Sequence, residues 1–193
     1  MRRTPPAGPP AGSIRTASGG IGRSSSPAAE ALSDDLRRGA GAALDARRRI
    51  AALSLSAMGS MGVVAAYQFG LLKSLPEPPL PFLDSDRVDA SGEAYQLLRT
   101  PDAALGLASY AATLALAGMG TRDRAREQPW LPLALAAKTV LDAASGIYLG
   151  LEQGTKHKRF CTWCLIAAGA SIAMVPTALP EARSSWRHLR RKV

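Results

Sequence analysis

Cys161 and Cys164 are the only cysteines in this chain of 193 residues. They stand in the run Cys161-Thr162-Trp163-Cys164, where a basic loop meets a long apolar segment. Thiols three residues apart share one face of a helix, so such a pair can cycle between dithiol and disulfide. The run Leu165 to Pro180 that follows carries no charge and is long enough to enter a bilayer. Thiol chemistry at a membrane surface calls for an electron partner dissolved in lipid, and quinones are the class that fits. Cys161 is expected in the first turn of the segment, open to a thiol from solution. Cys164 is expected one turn deeper, where it meets the lipid-borne partner. Lys156, His157, Lys158 and Arg159 place positive charge just upstream. Two other readings of the pair exist. Buried cysteines can serve as small hydrophobes. A structural zinc would need about four ligands, and only His157 and His188 remain to join the pair.

The elements that must position this pair are apolar helices. Ile50 to Leu72, Ala103 to Thr121 and Phe160 to Pro180 contain no charge, and Pro129 to Leu151 contains only Lys138 and Asp142. Each is about 20 residues long, which matches the roughly 30 Å hydrocarbon core of a bilayer. Ala, Gly and Ser dominate them and let helices approach closely in lipid. The expected fold class is all-α, an integral membrane four-helix bundle with a disordered N-terminal tail. A soluble bundle would need polar stripes at helical spacing, which these segments lack.

The chain carries a net charge of +9, but its arginines flank the apolar segments, which argues against nucleic acid as a partner. Arg47 to Arg49, Arg122, Arg124 and Arg126, and Arg187 to Lys192 stand beside the apolar segments. The loop from Lys73 to Asp102 carries Glu77, Asp84, Asp86, Asp89 and Glu93. The bias of basic residues toward the cytoplasm therefore puts both termini and the middle loop inside and the acidic loop outside. Lys156, Lys158 and Arg159 fall outside, against that rule.

Residues 1–46 read as a cytoplasmic tail, residues 47–182 as the four-span domain, and residues 183–193 as a basic cytoplasmic tail. Pro, Gly, Ser and Arg fill the first 30 or so residues, too little apolar surface to order a chain. Ser33-Asp34-Asp35 is placed to cap a short amphipathic helix running through Arg49. The proline-rich run Leu75 to Pro81 excludes helix. A short helix fits Val88 to Leu98, and Thr100 is the expected cap of the second span. The fourth span is expected to end near Pro180. Lys138 and Asp142 lie four apart on one face near mid-depth: an ion pair facing the bundle interior, a lysine snorkelling to the cytoplasm, or a functional pair. Trp130 and Trp163 read as interfacial anchors.

From about Ile50 to Glu181 the sequence resembles the vitamin K epoxide reductase family, membrane thiol oxidoreductases built as a four-helix bundle around a quinone. Tyr148-Leu149, Phe160-Cys161-Thr162-Trp163-Cys164-Leu165 and Ser171 carry the resemblance most strongly. Val88-Asp89-Ala90-Ser91, leading through Pro101 to Gly106 and Tyr110, is similar to the family's outer loop and second helix. The resemblance implies a redox pair at Cys161 and Cys164, a loop serine at Ser91, and a quinone-bonding polar residue at Asp102. It implies menaquinone or ubiquinone as cofactor and a thioredoxin-like thiol protein as partner on the outer face. The expected location is the inner (plasma) membrane. The family usually carries two further cysteines in the outer loop that relay electrons to the membrane pair. Here Ser85 stands where the second would be, no residue stands for the first, and Ala168 replaces a quinone-contacting tyrosine.

The expected function is a quinone-linked thiol oxidoreductase that supports disulfide formation outside the cytoplasm. A non-catalytic quinone-binding or scaffold protein that lost the relay is the alternative. A heme or metal membrane protein is the third reading, and the absence of histidine from the four apolar segments opposes it. Reporter fusions after Leu98 and after Val193 are expected to report opposite sides of the membrane; the same side for both would sink the even number of spans.

Overall fold

The structure, a computed structural model, describes residues 26–191. Residues 1–25, most of the expected tail, lie outside the described residues, as do residues 192–193. The described chain is helical, and its strand-like pairing is the single parallel bridge of Leu83 with Phe160. Helix α1 (Pro27–Arg38) is capped by Ser26, whose hydroxyl accepts from the Ala29 N–H at 3.3 Å. The cap expected at Ser33 is thus displaced, and Ser33 to Asp35 lie inside α1. The chain breaks at Gly39 to Gly41, with Gly41 at φ 131°, a conformation that suits glycine. Arg48 holds this break by donating to the carbonyls of Leu36, Asp35 and Gly39.

Four long helices form the body: α2 (Ala42–Gln68), α4 (Asp102–Gly118), α6 (Trp130–Glu152) and α7 (Thr162–Arg190). Short helices α3 (Ser85–Asp89) and α5 (Arg124–Glu127) lie between them. Helix α6 continues into a π turn, Gln153–His157. Helix α2 packs on α4 and α7, and α6 on α7 and α4, which closes the ring. Small residues make the close approaches: a Cβ on Gly146 of α6 would stand 3.1 Å from the Ala168 backbone of α7. Ile50, Ala57, Val64, Leu135, Ala167 and Met174 fill the centre. By length and composition, α2, α7 and α6 with its π turn are each able to cross a membrane; α4 is apolar but 17 residues long.

Several helix ends differ from the sequence reading, and at two of them a distant side chain takes part. Thr100 does not cap α4. Its hydroxyl donates to the Leu98 carbonyl, and the Gln68 side chain from α2 accepts the Ala103 N–H instead. The expected helix over Val88 to Leu98 is replaced by the end of α3 and two 3-10 turns, Gly92–Tyr95 and Leu97–Arg99. Helix α7 passes through Pro180 and runs to Arg190. Just beyond that proline, Glu181 is buried and receives two bonds from the Arg124 guanidinium, at 2.8 and 2.7 Å.

Arg124 is 0% exposed and donates from Nη1 to the carbonyls of Leu116 and Met119 as well. Arg47, also buried, donates to the carbonyls of Ala117, Gly118, Met119, Gly120 and Thr121. Two guanidinium groups thus satisfy the free carbonyls at the end of α4, which no intrahelical N–H reaches. Removing one member of a buried ion pair costs roughly 3–5 kcal/mol. Arg124→Met is expected to reach that range, because the Leu116 carbonyl loses its partner as well. Glu181→Gln should cost less, since Arg124 keeps both carbonyls. Denaturant unfolding in detergent micelles measures both, and a negligible loss for Arg124→Met would show that this end is held by other contacts.

Candidate active site

The motif sits where α7 begins. Cys161 is the N-cap residue, in extended conformation, and its Sγ accepts the Cys164 N–H at 3.2 Å. A side-chain acceptor is needed there because the first N–H groups of a helix have no partner within it. The backbone around the motif is held on every side. Phe160 N–H donates to the Phe82 carbonyl at 3.0 Å, and Asp84 N–H to the Phe160 carbonyl at 3.1 Å. Cys161 N–H donates to Gln153 Oε1, and Thr162 N–H to Ser85 Oγ, each at 3.1 Å. Ser60 Oγ donates to the Trp163 carbonyl at 2.6 Å, and the Trp163 indole N–H to the Pro76 carbonyl.

Residues 82–85 therefore lie across the motif as a strap, and Cys161 beneath it is 0% exposed. This corrects the sequence expectation that Cys161 is the thiol open to solution. Capping turns its side chain inward, and a segment some 77 residues away covers it. Cys164 is half-buried and lines a cavity. Both thiols are free.

That cavity has a volume of about 750 Å³, within the range of small-molecule sites. Its polar end carries Cys164, Asp89, Ser91 and Asp102. Leu105, Ile147, Leu165 and Ile172 are among its apolar walls. The structure brings Ser91, Asp102 and Cys164 to this one cavity, whereas Cys161 stands behind Cys164 and does not line it. Asp102 Oδ1 accepts from Gln68 Nε2 at 2.7 Å, and the same amide nitrogen reaches the Asp89 carbonyl at 3.3 Å.

Asp89 is the residue the sequence reading missed. It is 1% exposed, and its Oδ1 lies 3.5 Å from Cys164 Sγ. Burial pushes its carboxyl up to about 6; a hydrogen bond from Cys161 opposes this, and the charge of Asp102 adds to it. Its Oδ2 is buried without a partner among the described residues. In sequence it is one of five acids in a loop, with nothing to set it apart. Asp89 gives the two sulfurs a third neighbour with a ligand atom within 4.8 Å, one short of the four donors a structural zinc takes.

Further along the cavity, Tyr110 and Ser171 share a hydrogen bond of 3.0 Å. Lys138 and Asp142 form an ion pair facing α4, where Ser109 and Thr113 donate to the two Asp142 oxygens at 2.8 and 2.7 Å. Lys156 pairs with Glu152, and Arg159 donates to the Pro81 carbonyl.

Apolar helices closing on a cavity with one cysteine of a C-x-x-C pair on its wall fit a membrane protein that works through thiols. The profile of the Vitamin K epoxide reductase family matches residues 48–179, more than half of the chain. The chain belongs to the vitamin K epoxide reductase family, membrane thiol–disulfide oxidoreductases linked to quinone. No curated protein matches the chain.

The burial difference predicts unequal labelling by a small maleimide. Cys164, left alone in Cys161→Ser, is expected to react at least several-fold faster than Cys161 left alone in Cys164→Ser. Faster labelling of Cys161 would mean that the strap does not cover it in the membrane.

Proposed function

We propose that the protein couples oxidation of the Cys161–Cys164 dithiol to reduction of a lipid quinone, and so supports disulfide formation outside the cytoplasm. The observation that carries this reading is the position of Cys164, on the wall of a largely apolar cavity that also holds Asp102 and Ser91. In the proposed arrangement four helices span the plasma membrane with both termini cytoplasmic. At 1.5 Å per residue the 17 residues of α4 reach about 26 Å, close to the hydrocarbon thickness once its capped ends are added.

Menaquinone or ubiquinone accepts two electrons and two protons in such a site. The chain's residues do the rest. Cys164 meets the cavity, Cys161 closes the disulfide onto it, and Asp102 and Ser91 offer polar contacts to the ring oxygens. A thioredoxin-like dithiol protein on the outer face then reduces the disulfide. Lys158 and Arg159 stand beside the motif and favour an acidic docking surface, an attraction that weakens as salt rises.

One observation favours the second reading, a quinone-binding or scaffold protein. Ser85, at the place of a relay cysteine, is fully buried and built into the strap: its hydroxyl donates to Glu77 Oε2 at 2.6 Å while it accepts the Thr162 N–H. The loop position has become structural, and electrons cannot cross it as disulfides. Protein reconstituted in liposomes with quinone and a dithiol donor separates the two readings. Turnover in wild type, and background rates in Cys161→Ala and in Cys164→Ala, is the expected result. Quinone binding without turnover under any donor would establish the scaffold instead.

A further inference from the structure

Three acids among the described residues are buried: Asp89, Asp142 and Glu181. Asp142 is paired with Lys138, and Glu181 with Arg124. Asp89 has no ion pair among the described residues. Burying a carboxylate without a cation or a full set of donors is costly, so its retention calls for a reason. Its surroundings supply one. Oδ1 meets Cys164 Sγ at 3.5 Å, Cys161 Sγ lies within 4.8 Å, and the side chain borders the cavity. Oδ2 has no partner among the described residues. The Gln68 amide holds the Asp89 carbonyl and so fixes where the side chain starts.

We infer that Asp89 is a catalytic proton carrier for the thiol pair, taking the proton of each thiol in turn and passing it to the acceptor in the cavity. The inference rests on the quinone-linked thiol reading above. In the balanced step, two S–H bonds break and one S–S bond forms between Cys161 and Cys164. The two electrons go to the quinone. The Cys164 proton moves to the Asp89 carboxylate and then to one ring oxygen. The Cys161 proton follows by the same route to the other oxygen, which completes the hydroquinone and leaves Asp89 ionised. A direct contact of donor and acceptor is what such transfer requires, and its efficiency is greatest when the carrier titrates near the working pH. Asp89, raised to about 6, is close to that condition. The titratable groups around it are Cys161 and Cys164, Asp86 on its own helix, Asp102 on α4 and Tyr67 on α2. Glu93 and His157 line the same cavity. Asp102 is a poorer carrier because its Oδ1 is engaged by Gln68.

The test compares wild type, Asp89→Asn and Asp89→Glu in liposomes with quinone and a dithiol donor. The wild-type rate is expected to fall as pH drops through about 6, because the carboxylate must be free to accept. Asp89→Asn is expected to lose about 10²- to 10⁴-fold in turnover, together with that pH dependence. Asp89→Glu should keep the pH dependence at a reduced rate. A near-wild-type rate in Asp89→Asn with an unchanged pH profile overturns the inference and leaves the thiol–quinone reading standing. Infrared difference spectra between the dithiol form and the form oxidised by a chemical thiol oxidant need no quinone. Oxidation removes the thiol hydrogen bonds that lower the Asp89 carboxyl, so near pH 6 a protonated-carboxyl band that grows on oxidation in wild type and is absent in Asp89→Asn is expected. Where no quinone turns over, the function reading fails and this band alone decides: its absence overturns the role of Asp89.

Discussion

Both ends of α4 are sealed by side chains of α2. Arg47 gathers the carbonyls at its C-terminal end, and Gln68 accepts an N–H at its first turn while donating to Asp102. These two residues are 21 apart on a single helix, about 31 Å at the helical rise. In an apolar bundle a helix end has no water to satisfy it, so each unmade bond there costs free energy. The shortest of the four helices is thereby set at a fixed depth by its neighbour. The site follows from this, because Gln68 also holds the Asp89 carbonyl and so ties α3 to the start of α4. Were Gln68 lost, Asp102 and Asp89 would lose their common anchor before any cysteine moved.

The strap over the motif makes the two thiols unequal. Cys161 spends its sulfur on capping α7 and lies under residues 82–85, while Cys164 faces the cavity. Exchange with a donor from outside therefore requires the strap to part or the donor to approach through the cavity mouth. Ser85 links these events, since one hydroxyl joins the Glu77 carboxylate to the first turn of α7. A thiol could not make both bonds as strongly, because S–H is a weak donor and sulfur a weak acceptor. The position that relays electrons in the resembled family here closes the loop onto the motif.

Composition made the apolar helices legible, since four segments nearly free of charge have few other uses. The family was legible from the spacing Phe160 to Leu165, and Asp102 and Ser91 fall on one cavity with Cys164. Helix ends were not legible, because their partners are far away in sequence. Thr100 has the right residue type for a cap, yet Gln68 from α2 does that work. Pro180 reads as a terminus, but the buried pair of Glu181 with Arg124 carries the helix onward. The burial of Cys161 was hidden for the same reason: nothing near position 161 announces a strap from residues 82–85. Asp89 escaped notice because an acid in an acidic loop looks like charge for solvent, and only its packing against two sulfurs distinguishes it.

The interior charges divide by what surrounds them. Asp142 has a lysine and two hydroxyls, and Glu181 has a guanidinium, so each is paired with a cation inside the bundle. Such groups tie helices together, α6 to α4 in one case and α7 to the α4–α6 connection in the other. Asp89 differs in kind. Its neighbours are two thiols and another acid, none of which fixes its charge. A group so placed can change its proton number at small cost. The same bundle thus keeps its paired acids for cohesion and leaves an acid without an ion pair against the two sulfurs.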